Sequence, residues 1–188
     1  MPDAQRIVIR IKKGADGRTS LSCTRADGTT TWQRLEGGQA RFFPRHDLTH
    51  FAVETVLGIR KGFYGLVAAG WDLSDFGSPW PRGRIPAEAN LSEIMVGFFD
   101  LERRMGDHGT ADELNKQVAE FCTRNGLAKQ GELGEDDLAR VRQRRAEVFA
   151  LWDAVEAGNA LELPFEPDTL ETTPNRPIPR REARSQKS

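Results

Sequence analysis

Three histidines occur in 188 residues, and two of them, His46 and His50, stand four positions apart in the segment His46-Asp47-Leu48-Thr49-His50-Phe51-Ala52-Val53-Glu54. On a helix that spacing turns the second ring about 40° from the first and lifts it about 6 Å, so both imidazoles share a face. Two neutral imidazoles placed in this way can chelate one divalent cation. Asp47 follows the first histidine and is the candidate general base, with a carboxylate that reaches less far than a glutamate would. Glu54 lies about 12 Å from His46 along the axis and about 80° around it, too far to share an ion with both histidines. Its expected place is one turn beyond His50, as the hydrogen-bonding partner that orients that ring. A third ligand must therefore come from another element. Asp72, Asp75 and Glu93 lead, because they lie on or beside apolar segments expected to pack on the motif helix, and Asp100 and His108 also carry ligand atoms. Zinc is the first expectation for a two-histidine site, and iron or manganese gain ground as carboxylates are added.

The same residues also suit a structural role. Asp47 can complement the amides and dipole of a helix start. His50 and Glu54 can be an ordinary pair one turn apart. Two function classes follow. One is a metal-binding protein, in its enzymatic form a small metal-dependent hydrolase built on the HDxxH helix. The other is a non-enzymatic binding or interaction protein whose histidine–carboxylate cluster is structural.

The stretch Phe42–Phe76 reads FFPRHDLTHFAVETVLGIRKGFYGLVAAGWDLSDF. It resembles a family of uncharacterised bacterial proteins that carry an HDLxHxxVE segment followed by a glycine-punctuated GFYGL…GWD segment. The resemblance covers mainly these 35 of the 188 residues and implies no reaction, cofactor or catalytic assignment. A weaker similarity, to the H-E-x-x-H metal motif, covers His46, Asp47 and His50 alone, with aspartate where that motif has glutamate.

The elements that must position these residues are legible in the pattern. In Arg6–Lys13 the isoleucines fall at 7, 9 and 11, the period of a strand with one buried face. Strands are expected over Arg18–Arg25 and Thr29–Leu35, with turns at Asp16-Gly17 and Asp27-Gly28, and a fourth over Ala40–Phe43 after Gly37-Gly38. Helical spacing takes over from Arg45 to Ile59. Further helices are expected over Phe63–Leu73, from Pro86 to Met105, from Thr110 to Arg124 behind a capping box, and from the acidic segment Glu132–Asp137 to Gly158. The expected fold class is α+β: a small N-terminal antiparallel sheet of about four strands (5–43), then about five helices (45–160), in a single domain 1–163. The proline-rich remainder, 164–188, is expected to be an extended or disordered tail.

Composition removes several classes. Lys plus Arg number 27 and Asp plus Glu 28, a net charge of −1, which gives no global reason to expect nucleic acid or an anionic membrane. The chain has no long apolar run and no secretory pattern at its start, so a cytoplasmic protein is the expectation. The cysteines, Cys23 and Cys122, are far apart and suit a buried core better than a disulfide or a C-x-x-C site. No phosphate-binding glycine loop and no G-x-S-x-G elbow is present. Trp71, Trp80, Arg82 and Arg84 can line a pocket, but core capping and solvation are the commoner uses of such residues. The arginines at 140, 142, 144 and 145 are flanked by acids and read as a salt-bridged face. The expected partner is a small molecule or a protein.

Overall fold

The computed structural model describes residues 6–128 and 130–169. Four antiparallel strands form one sheet: β1 (Ile7–Lys13), β2 (Thr19–Arg25), β3 (Thr30–Leu35) and β4 (Ala160–Phe165), in the order β3-β2-β1-β4. The register sets Ile9 opposite both Cys23 and Leu163, and Ile7 opposite Phe165. All of these side chains are buried on one face, as the period of two requires. Five helices complete the α+β fold: α1 (Gly37–Leu57), α2 (Phe63–Ala68), α3 (Ala87–Met105), α4 (Ala111–Asn125) and α5 (Glu135–Asp153).

Three expectations are corrected. The fourth strand is not Ala40–Phe43, which lies in the early turns of α1. The buried residues Ala40, Pro44, Leu48 and Ala52 recur every four positions, so the helical period begins before Pro44 and runs through it. The fourth strand is instead β4, supplied by the chain's far end. The expected tail 164–188 therefore begins inside that strand, and from residue 170 onward it lies outside the described residues. The helix expected over Phe63–Leu73 ends at Ala68, and a separate 3₁₀ turn covers Leu73–Phe76.

Helix α1 is the centre of the molecule. On one side Leu48 and Phe51 pack with Ile7, Ile9, Leu21, Tyr64, Val148 and Trp152 between the sheet and α5. On another, Val53 and Leu57 pack with Val96, Phe99, Leu114 and Val141 of the helical layer. Every residue from Asp47 to Glu54 is buried as a result. Any charge on that stretch must find a partner within the protein. Helix α3 packs directly on α1 and is also tied to α5 through Glu102, whose carboxylate accepts from Arg142 at 2.5 Å and Arg145 at 3.4 Å, and from the Gly109 amide at 3.1 Å. Arg145 also donates to the Phe99 carbonyl at 2.5 Å. On the side of α3 that meets α1, Val96 and Phe99 pack with Val53 and Leu57, and Glu93 and Asp100 reach His50 and His46.

Candidate metal centre

His46 and His50 do share a face of α1: their ring centroids lie 4.8 Å apart, edge to face at 82°. Helix α3 supplies Glu93 and Asp100, seven residues apart and so two turns along one stripe. The four ring nitrogens divide into two pairs. Both Nδ1 atoms point to supporting carboxylates, His46 Nδ1 to Asp100 Oδ2 at 2.7 Å and His50 Nδ1 to Glu54 Oε1 at 3.2 Å. Both Nε2 atoms turn to the one carboxylate of Glu93, at 3.0 Å for His50 and 4.0 Å for His46. One ligand atom from each of His46, His50 and Glu93 lies within 4.8 Å of the others, so this group can hold a metal ion. A His₂-carboxylate set with each Nδ1 tied to a carboxylate is the arrangement that fixes tautomer and ring orientation in metal sites.

The Glu54 carboxylate is fully buried and is held by more than His50. Oε2 accepts from the backbone amides of Tyr64 at 3.1 Å and Gly65 at 3.3 Å, at the start of α2. This close approach requires the flanking glycines. A Cβ on Gly62 would stand 2.4 Å from Glu54 Cδ, and one on Gly65 would stand 2.0 Å from the Arg60 carbonyl oxygen. The HDLTHFAVE and GFYGL segments are therefore two halves of one construction. The second presents bare backbone to the carboxylate that orients a histidine of the first.

Electrostatics follow from burial and from three acids crowding two rings. Burial pushes His50 toward its neutral form, but hydrogen bonds and charge from Glu54 and Glu93 outweigh it and raise the imidazole to about 10. Without metal His50 is thus a cation between two carboxylates. A metal ion must displace that proton to bind Nε2. Glu93 and Asp100 are desolvated, yet His50 and His46 respectively, with Arg103 beside Asp100, hold both acids below their ordinary values.

The cluster opens on one side. The side chain of His50 is 2% exposed and that of His46 19%, while that of Glu93 is 45% exposed. Phe42 stacks on His46 with centroids 5.3 Å apart. Gly97, one turn beyond Glu93 on α3, is exposed and has no atom within 4 Å of where a Cβ would sit. An ion on this group would have its free coordination positions on the Glu93 side.

The other sequence candidates go elsewhere. Asp72 and Asp75 are not among the ligand atoms that gather around His46 and His50. Asp72 caps the 3₁₀ turn and pairs with Arg25 at 3.0 Å, and Asp75 accepts from Arg82 and the Asp72 amide, each at 2.7 Å. His108 sits 3.6 Å from Glu102, in the cluster that joins α3 to α5. Asp47, the expected general base, is not among the converging atoms. Its side chain is buried, its Oδ2 has no hydrogen-bond partner, and burial pushes its carboxyl up to about 7, against the charges of His46 and His50. Its backbone carbonyl accepts from the Tyr64 hydroxyl at 3.2 Å. Cys23 is buried, and its thiol is pushed up to about 12 by burial and by the charge of Asp47, so it is no nucleophile at neutral pH. Sequence reasoning did not assign Asp100 to His46, nor the Tyr64 and Gly65 amides to Glu54. The seven-residue spacing of Glu93 and Asp100 and the glycines at 62 and 65 were the available signals.

Among the described residues no helix is long and apolar enough to cross a membrane. Compared with family models, curated proteins and solved structures, the chain has no significant match.

Proposed function

We propose that this chain is a divalent-metal-binding protein whose ion is held by Nε2 of His46, Nε2 of His50 and a carboxylate oxygen of Glu93, with Asp100 and Glu54 orienting the rings. The observation that carries this reading is the division of nitrogens: both Nδ1 atoms are committed to carboxylates and both Nε2 atoms face a third, half-exposed one. A His₂Glu set suits zinc, and the same set also suits iron or manganese. In the enzymatic form of the reading, His46, His50 and Glu93 would hold the ion, and an open position on it would supply Lewis-acid activation of water, which is hydrolytic chemistry. No base role is carried over to Asp47.

The test uses protein purified without a histidine tag, stripped with chelator and exposed in turn to zinc, manganese and ferrous iron. One ion per chain is expected, with affinity reduced about 10–100-fold or more in His46→Ala, His50→Ala and Glu93→Gln. Glu93 is half-exposed, so that variant is expected to keep the fold. Wild-type protein that takes up none of the three metals, or Glu93→Gln that binds as tightly as wild type, overturns the reading.

One observation favours a second reading. Both nitrogens of His50 already have carboxylate partners, at 3.2 and 3.0 Å, so the cluster is complete as an ion-paired strut between α1, α2 and α3. That structural role is the outcome if no metal binds.

A further inference from the structure

The outer face of the sheet lies on the far side of α1 from the metal centre and carries a groove that neither the fold nor that centre uses. The strand register places Trp32, Ser22, Arg10 and Glu162 in one row across the sheet, and Arg34, Ser20, Lys12 and Ala160 in the next. Two serines on β2 thus form a low floor between the tall side chains of β3 and β1. The resulting groove has a volume of about 460 Å³. Strands lie about 4.8 Å apart, so its walls stand about 10 Å apart, enough to admit a planar ring.

The walls have a particular chemistry. Trp32 is 63% exposed, while the opposite face of the same sheet is packed into the core. Arg10 is paired with Glu162 at 3.1 Å, and Arg18 with Asp16 at 2.9 Å and Glu36 at 2.7 Å. Lys12 and Arg34 are exposed and have no acidic partner among the described residues. They flank Ser20 from either side. Trp32 is two residues from Arg34 on the same strand, about 7 Å away. That is the reach from a nucleobase to its 5′-phosphate.

We propose that this groove binds a nucleotide, with its base stacked on the Trp32 indole and its phosphate held between Lys12 and Arg34 above Ser20. Stacking on an exposed aromatic beside cations is a sequence-tolerant way to hold a nucleobase. The two unpaired cations match one phosphate. Asp16, Glu36 and Glu162 border the patch and interrupt any longer basic track, so a single nucleotide fits better than an extended strand. The net charge of −1 does not oppose this, because the groove lies within a Debye length of about 8 Å of its own cations.

The test is calorimetric titration of the full chain with adenosine monophosphate, adenosine and inorganic phosphate at low ionic strength. Saturable binding of the monophosphate is expected, with adenosine and phosphate each at least about tenfold weaker. Trp32→Ala and the double variant Lys12→Ala/Arg34→Ala should each weaken the monophosphate by about tenfold or more. These side chains are exposed, so an unchanged melting temperature separates lost binding from lost fold. No saturation up to about 10 mM, phosphate binding as tightly as the nucleotide, or an unchanged Kd in either variant overturns the proposal. Loss of metal binding in the Glu93→Gln variant leaves it untouched.

Discussion

Asp47→Asn is the perturbation with the clearest sign. The wild-type carboxyl is buried, its Oδ2 is unpartnered, and burial raises it from 3.8 to about 7. A folded-state value above the unfolded one means that the neutral acid is tolerated and the anion is not. The stability associated with the neutral form is fully present below about 3.8 and is lost as pH rises through about 7. At 1.36 kcal/mol per pKa unit the span corresponds to a penalty of about 4 kcal/mol at pH 8, an upper bound. The asparagine amide removes the charge but must satisfy its own donors, at a cost of about 1–3 kcal/mol. The expected net gain is therefore about 1–3 kcal/mol at pH 8, or roughly 2–10 °C in Tm for a chain of this size. The assay is urea unfolding of metal-free wild type and variant from pH 4 to pH 8.5, taking the difference at each pH so that other titrating groups cancel. The gain should shrink as pH falls and disappear or reverse near pH 4. A variant that is less stable than wild type at pH 8, by the same margin as at pH 4 or a larger one, refutes the reasoning and shows that the fold does not penalise the Asp47 anion.

Three further outcomes are expected. In metal-free protein His50→Gln removes the cation between Glu54 and Glu93, leaving Glu54 buried without its charged partner. A loss of about 3–5 kcal/mol at pH 6 is expected in chemical unfolding. Because the folded His50 value is raised to about 10, its stabilisation is fully present below about 6.5 and is lost as pH rises through 10, so wild type and variant should converge near pH 11. Gly62→Ala places a methyl 2.4 Å from Glu54 Cδ and should lower both Tm and metal affinity, whereas Gly97→Ala, facing open space, should change Tm little. Glu102→Gln leaves Arg142 and Arg145 facing a neutral amide, and a loss of about 1–3 kcal/mol without any change in metal stoichiometry is expected.

The part of the fold that was legible in the sequence is the part dictated by local periodicity. Ile7, Ile9 and Ile11 alternate, and the strand they predict is β1. Thr110 and Glu113 form the capping box that opens α4, with the Thr110 side chain accepting from the Glu113 amide. What was not legible depends on long-range partners. Ala160–Phe165 carries Pro164, which argues against a strand, and is one because β1 offers it an edge 152 residues away, as the Arg10–Glu162 pair shows. Phe42 and Phe43 after two glycines resemble a strand, and only the packing of Ala40 and Pro44 under α1 reveals a helix. The candidate site divides in the same way. The spacing of His46, His50 and Glu54 lies within one helix, so their relation followed from helical geometry, including the exclusion of Glu54 as a ligand shared with His46. The choice of Glu93 over Asp72 and Asp75 rests on how α3 packs against α1, through Val96 and Phe99 on Val53 and Leu57. No pattern local to residue 93 contains that information.

The most direct measurement on the metal centre is an anomalous-difference map from crystals of tag-free protein grown with zinc, collected on both sides of the zinc absorption edge. One peak is expected between α1 and α3, about 2.0–2.2 Å from Nε2 of His46, Nε2 of His50 and an oxygen of Glu93, with both Nδ1 atoms still bonded to Asp100 and Glu54. A map with no peak at this position, or an ion seated elsewhere while His50 stays bridged between Glu54 and Glu93, contradicts the assignment.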